Sequence, residues 1–104
     1  MRLTRTSATE LTITGNIKTT ADYLAIRKLV TELVDAGASA LTLHINESLS
    51  MPSSVIGFFV KLVNRDKIHV SMLIEDPRLL ELLEELSLAE LFGARQSPGA
   101  FRNE

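Results

Sequence analysis

The sequence predicts an α/β domain: a small layered structure in which a mixed β-sheet of about four strands carries helices packed mainly on one face. Three short segments alternate apolar and polar residues with the period of a β-strand, and three longer segments repeat apolar residues with the period of an α-helix. The two kinds of segment alternate along the chain, which is typical of layered α/β domains. Each strand segment has one polar side, so we expect helices to cover one face of the sheet rather than both.

The strand segments are "LTITG" at 11–15, "LTLHIN" at 41–46 and "KIHVSMLIE" at 67–75. In each of them leucine, isoleucine, valine or methionine on one side opposes mainly threonine, histidine, asparagine or serine on the other. The segment "RLTRTSA" at 2–8 alternates less regularly and indicates a further strand that pairs back on the first.

The first helix is expected between Thr19 or Thr20, either of which suits the N-cap, and Gly37, which suits the end. Its apolar stripe comprises Tyr23, Ile26, Val30 and Leu33. The third helix begins with Asp76 at the N-cap and Pro77 at the first helical position.

The end of the chain is predicted to be less regular. The third helix is expected to break near Ser87 and to resume briefly in "SLAELF". Residues 94–104 are rich in glycine, proline and polar side chains, which predicts a flexible tail on a single domain that spans 1–104.

The second helix, in "SMPSSVIGFFVKLVNRD" from Ser50 to Asp66, has little polar surface. One apolar stripe, expected to face the core, comprises Ile56, Phe59, Val60 and Val63. A second stripe, about a third of a turn away, comprises Val55, Phe58 and Leu62. Either neighbouring helices cover the second stripe, or Val55 and Phe58 stay exposed and bind another protein, since an exposed apolar patch with a polar rim is typical of a docking surface.

Two serines stand where this helix begins. If Pro52 takes the first helical position, Ser50 or Met51 is the N-cap, and Ser53 and Ser54 lie in the first turn. Serine is commonly a cap at such a position. A phosphate on serine is also favoured there, because free backbone N–H groups and the helix dipole attract negative charge.

The composition excludes several functional classes. The 104 residues suffice for one domain, and the net charge of −2 is scattered, so we expect no direct nucleic-acid binding. The chain has no cysteine, which excludes disulfides, thiolate catalysis and cysteine-bound metals. Its apolar runs are shorter than the roughly 18 residues that span a bilayer, and "MRLTRTSATE" lacks a signal-peptide pattern, so we expect a cytoplasmic protein without membrane insertion.

Candidate chemistry on the polar side of the strands is sparse. His44 and His69 share that side, but a metal site needs a third ligand, for which Glu47 and Glu75 are the convenient candidates. Isolated surface histidines are the favoured interpretation, with no metal and no cofactor. A hydrolase built from Ser53, His44 and Glu47 would lack the Gly-x-Ser-x-Gly motif, so we expect a protein that is not an enzyme.

The stretch "ALTLHINESLSMPSSVIGFFVKL" resembles the central motif of STAS domains, the anti-sigma-factor antagonists. In that motif an apolar strand leads through a short loop into Asp-Ser-Ser/Thr/Ala-Gly-Leu-Gly and an apolar helix. The positions that match are Met51, Ser53, Ser54, Ile56 and Gly57. "LTITGNIKTTADYLAIRKLVTEL" and "LLELLEELSLAELF" are similar to segments before and after the motif, so the resemblance covers about residues 9–93.

The resemblance implies a bacterial protein-interaction module that regulates transcription by binding an anti-sigma factor, often itself a serine kinase. The kinase phosphorylates the serine after the motif aspartate, which releases the partner, and a phosphatase resets the switch. By position that serine is Ser53, with Ser54 as the alternative. The implied contact surface comprises Met51, Pro52, Ser53, Ser54, Val55, Gly57 and Phe58.

The chain also departs from the motif. Pro52 replaces the aspartate, Val55 replaces the glycine after the serines, and His44 stands where Asp or Asn is common. These departures favour an alternative function: a STAS-like scaffold subunit of a signalling complex or transporter that is not phosphorylated.

Overall fold

The computed structural model describes residues 1–98, which form an α/β fold with a five-stranded mixed sheet and three helices. The elements in chain order are β1 (Arg2–Arg5), β2 (Glu10–Thr14), α1 (Thr20–Asp35), β3 (Ala40–Asn46), α2 (Ser53–Asn64), β4 (His69–Ile74), α3 (Pro77–Glu85) and β5 (Ala94–Gln96). The strand indicated by "RLTRTSA" is present as β1.

The strands lie side by side in the order β1-β2-β3-β4-β5. β1 runs antiparallel to β2, and all the other neighbours are parallel. Because β-α-β connections are right-handed and the order rises steadily across the sheet, the three helices lie on the same face. The prediction of a single covered face is confirmed.

The core lies between this face and the helices. The register places Leu11 beside Leu43 and Leu43 beside Met72, so the apolar sides of three strands form one continuous surface. Ile26 of α1, Phe59 of α2 and the first buried leucines of α3 pack in the same cluster. The opposite face carries mainly the threonine, serine and histidine side chains and is only partly covered.

Side-chain capping starts α1 and α3 where the sequence predicts. At α1, the Asp22 N–H donates to Thr19 Oγ1 (3.1 Å), and the Asp22 carboxylate accepts from the N–H groups of Lys18 (3.0 Å) and Thr19 (3.4 Å). The backbone hydrogen bond from Lys18 is the main cause that lowers the pKa of Asp22 below its ordinary value. At α3, Asp76 is the N-cap and accepts from the Arg78 N–H at 2.8 Å, with Pro77 at the first helical position.

The segment after α3 differs in part from the prediction. The helix ends before Ser87, whose φ of 60° is left-handed, but residues 89–93 form turns rather than a resumed helix. These turns place the Phe92 ring in the core with no exposed surface. A buried aromatic side chain therefore anchors this segment without regular structure.

The predicted flexible tail is wrong for its first residues. Ala94–Gln96 forms β5 and extends the sheet parallel to β4. The Gln96 side chain donates from Nε2 to the carbonyl oxygens of Ile74 (3.1 Å) and Glu75 (2.7 Å). Ala94–Gln96 shows no alternation of apolar and polar side chains that could have predicted a strand. Its position follows from the buried Phe92 before it and from pairing with the edge of β4. The tail continues with Ser97, whose N–H donates to the Ile74 carbonyl at 2.8 Å, and residues 99–104 lie outside the described residues.

Candidate functional site

The first turn of α2 presents two exposed serines. The helix begins at Ser53, and Pro52 is the N-cap, with φ −60° and ψ 151°. Pro52 was expected at the first helical position, but its fixed φ also suits the extended backbone of a cap. Because proline has no side-chain acceptor, the helix start has no capping hydrogen bond from a side chain.

Neither serine is a cap. Ser53 and Ser54 are both exposed, and their hydroxyl groups form no hydrogen bond with another residue in 1–98. The backbone bonds of the first turn run from the N–H groups of Val55 and Ile56 to the Pro52 carbonyl, at 3.0 Å each. The two hydroxyls are therefore accessible at the positive end of the helix dipole.

Two residues of the expected contact surface are buried, which corrects that prediction. Val55 has no exposed surface and Met51 has 5%. Val55 shares the side of α2 that faces the sheet with Phe59 and Leu62, at helical spacings of four and seven residues. The sheet therefore covers these side chains, and neither Val55 nor Met51 can contact a partner in this fold.

The side of α2 that faces the core is therefore rotated around the helix axis relative to the stripe expected from the sequence. Of its members only Phe59 is fully buried, while three are half-buried on one flank of the helix: Ile56, Val60 and Val63. Phe58 lies on the other flank. Its ring meets Tyr23 of α1 edge-to-face with the centroids 6.5 Å apart, and it meets Phe59 at 5.3 Å. Phe58 is thus half-buried against α1, with part of the ring still exposed.

An open groove runs between α1 and α2 beside these rings. We name it the α1–α2 groove; its volume is about 440 Å³, and it is lined by Tyr23, Arg27, Thr31, Ser53, Ser54, Gly57, Phe58, Lys61, Arg65 and Asp66. Gly57 is exposed, and a Cβ placed on it would have no heavy atom within 4 Å. The structure therefore brings Ser53, Ser54, Gly57 and Phe58 of the predicted contact surface to one groove, with half-buried Pro52 beside it.

The groove is basic. Three cationic side chains and one anionic side chain line it, although the whole chain has a net charge of −2. Arg65 Nε lies 4.0 Å from Asp66 Oδ1. Arg27 and Lys61 form no ion pair with any residue in 1–98. Sequence reasoning missed Arg27; its spacing of four residues from Tyr23, toward one edge of the α1 stripe, is the signal that could have indicated it.

The loop between β3 and α2 is fixed to its neighbours. Ser48 is 1% exposed, and its hydroxyl donates to the Gly15 carbonyl at 2.7 Å. The Leu49 N–H donates to Asn16 Oδ1 at 2.9 Å. These bonds join the loop to the end of β2, so the chain that leads into Ser53 has a defined path. Nothing in the pattern around Ser48 distinguishes it from an exposed loop serine.

The two histidines do not form a site with each other. His44 neighbours Leu73 in the sheet, and His69 lies four residues before Leu73, so the two are about 13 Å apart along the strands. His44 Nε2 lies 3.2 Å from Glu10 Oε1 instead. Within residues 1–98, no cluster of three His, Asp or Glu side chains could hold a metal ion.

The hydrolase arrangement also fails on geometry. The His44 side chain is on the face of the sheet opposite the helices, whereas Ser53 begins a helix that packs on the covered face. The sheet therefore separates the imidazole from the hydroxyl, and they cannot act together.

Comparisons with models of protein families, with curated proteins and with solved structures each find no match for this chain. In the part of the chain that the structure describes, no helix is both long enough and apolar enough to cross a membrane. The fold and the site define a small α/β domain with two accessible serines beside a basic groove.

Proposed function

We propose that this chain is a protein-interaction module of the STAS type in the bacterial cytoplasm, which binds an anti-sigma factor or related serine kinase through the start of α2. The partner kinase phosphorylates Ser53, with Ser54 as the alternative, and the modified chain releases its partner until a phosphatase resets it. In this scheme the chain is a kinase substrate and not an enzyme. The observation that carries the proposal is the exposure of both hydroxyls at the edge of the α1–α2 groove.

The fold supports the proposal. A small mixed sheet backed by helices is the architecture that the resemblance implies, and the elements follow one another in the expected order. The position of the serines supports it as well. They fall in the first turn of the helix that follows the central strand, where the resemblance places the modified residue.

The groove supplies a physical reason for release. A partner side chain that packs on the exposed part of Phe58 must exclude water from the helix start. A phosphoserine there carries about −1.5 to −2 charges, and its desolvation costs far more than that of a hydroxyl. Phosphorylation at the edge of the groove therefore weakens any contact with a partner that requires the exclusion of water from the Phe58 ring.

Phosphorylation can be tested with a purified anti-sigma factor of the serine-kinase type from the same organism. The purified chain is incubated with that kinase and ATP and is weighed by mass spectrometry, together with the variants Ser53→Ala and Ser54→Ala. We expect the wild-type chain and Ser54→Ala to gain one phosphate and Ser53→Ala to gain none. A wild-type chain without a mass gain, or equal gains in all three proteins, would contradict the proposal.

A second candidate is favoured by Pro52. It is the N-cap of α2, at the position where the STAS motif has an aspartate, so the approach to Ser53 is stiff and lacks a carboxylate. In this alternative the chain is a constitutive scaffold subunit of a signalling complex or transporter. Co-purification of a kinase favours the switch, whereas co-purification of a stable assembly with unmodified Ser53 and Ser54 favours the scaffold.

A further inference from the structure

The charge of the α1–α2 groove indicates what kind of partner fits it. Arg27 on α1 and Lys61 on α2 face the same groove, and neither has an ion-pair partner within residues 1–98. Arg65 is the third cation, and Asp66 lies near it at 4.0 Å. Since the chain as a whole is acidic, this groove is a local reversal of charge that attracts anionic groups.

The groove also has an apolar wall. Tyr23 and Phe58 meet edge-to-face at 6.5 Å, and both rings are half-buried, so each leaves part of its surface open to the groove. Half-buried aromatic rings are frequent anchoring sites in protein interfaces. Gly57 has no side chain to cover the helix next to Phe58, so a partner segment can approach the α2 backbone closely.

We propose that the α1–α2 groove binds a peptide segment of a partner protein that presents a carboxylate beside an apolar side chain. The carboxylate pairs with Arg27 and Lys61, and the apolar side chain packs on Tyr23 and Phe58. This inference rests on the proposed function, because it names the chemistry of the partner at that same site. A nucleic acid is a poorer fit, since the three cations that line the groove, one of them near Asp66, neutralise few phosphates.

The same geometry bears on the regulation, most directly for Ser54, the alternative phosphorylation site. Ser54 lies four residues before Phe58 and seven before Lys61, so it projects from the same side of α2. A phosphate on Ser54 lies beside the groove cations and competes with the partner carboxylate for them. Ser53 also lines the groove but projects about 100° away around the helix, so its phosphate competes less directly. This competition needs no acidic residue before the serine.

The proposal is tested by selecting peptides from a random seven-residue phage library on the unmodified wild-type chain. We expect the selected peptides to carry Asp or Glu next to a leucine, isoleucine or aromatic residue. Their dissociation constants are then measured with the variants Arg27→Glu and Lys61→Glu. Each variant is expected to bind about tenfold more weakly, because a cation that pairs with the carboxylate becomes an anion.

Lys28→Glu is the matched control. Lys28 is an exposed neighbour of Arg27 on α1, but it does not line the α1–α2 groove, and its replacement makes the same change in net charge. We expect its peptide affinity to stay within about twofold of the wild-type value. Selected peptides without acidic residues, equal losses in Lys28→Glu and Arg27→Glu, or equally tight binding of a seven-nucleotide single-stranded DNA would each overturn the proposal.

The competition is tested with chains that carry phosphoserine at position 54 or 53, introduced during synthesis. We expect about tenfold weaker peptide binding for phosphoserine at 54 and a smaller loss at 53. Unchanged affinity of the chain modified at 54 would overturn the competition.

The outcome is separable from the proposed function because the peptide measurements use no kinase. Phosphorylation of Ser53 without acidic-peptide binding would overturn the groove proposal and leave the switch intact. Acidic-peptide binding without phosphorylation by the kinase would support the groove proposal and overturn the switch.

Discussion

Replacing Val55 with alanine tests which side of α2 is buried against the sheet and which side faces the groove. Val55 is fully buried, so Val55→Ala removes two methyl groups from the core. Their transfer to water accounts for about 1.6 kcal/mol, and the cavity left behind adds about 1 kcal/mol. The better helix propensity of alanine offsets roughly 0.5 kcal/mol. We therefore expect the free energy of unfolding to fall by about 2 kcal/mol.

In a domain of this size the loss corresponds to a melting temperature lower by roughly 10 °C. The assay is thermal and urea denaturation followed by circular dichroism. If the free energy of unfolding falls with urea concentration at the same slope as in the wild-type chain, the folded and unfolded states of the variant expose the same surface as those of the wild-type chain. A decrease in the free energy of unfolding of less than about 0.5 kcal/mol would refute the burial of Val55 and would indicate an exposed side chain.

Three further predictions concern other parts of the site. Gly57→Ala is expected to raise the free energy of unfolding by about 0.5–1 kcal/mol, because its Cβ meets no neighbour and alanine favours the helix; a loss of stability on urea denaturation would contradict the exposed position. Ser48→Ala leaves the Gly15 carbonyl without its 2.7 Å bond and is expected to cost about 1–3 kcal/mol in the same assay; an unchanged stability would show that the loop does not depend on this bond. The pKa of Asp22 is lowered in the folded chain, so its carboxylate stabilises the fold above its unfolded pKa near 3.8, and that contribution is lost as the pH falls through the folded value. Asp22→Asn should therefore lose stability relative to wild type at pH 6 and approach it at pH 2–3, whereas a constant difference across this range would contradict the capping role.

The strands were predicted well where apolar and polar side chains alternate, because a sheet with one buried face requires that alternation. Leu41, Leu43 and Ile45 are all buried, and the polar residues between them are on the open face. β5 had no such pattern, because Ala94–Gln96 is positioned by the edge of β4 and by the Phe92 anchor. A three-residue strand whose partner supplies the template cannot be recognised from its own residues.

The candidate site was predicted in part. Ser53, Ser54, Gly57 and Phe58 lie on α2 and line the α1–α2 groove, while their role in binding or phosphorylation stays a prediction. The orientation of α2 could not be predicted, because nearly every position from Val55 to Val63 is apolar and helical periodicity then selects no single side. In the structure Val55, Phe59 and Leu62 form the buried side, and the Phe59 ring packs on Phe92 with the ring centroids 6.2 Å apart.

The basic groove was not predicted for a related reason. Arg27 and Lys61 belong to different helices, and in the sequence each resembles an ordinary solvated side chain. Their common position depends on how α1 packs beside α2, through the contact of Tyr23 with Phe58. Sites that arise from such packing become visible once the helices are placed.

The central claim is that a phosphate at the start of α2 controls the binding of a protein partner. Titration calorimetry of the purified kinase with the unmodified chain and with the chain carrying phosphoserine at position 53 tests it most directly. We predict measurable binding of the unmodified chain and about three- to fivefold weaker binding of the modified one, a smaller loss than that expected for phosphoserine at 54. Equal affinity of the two forms would contradict the claim.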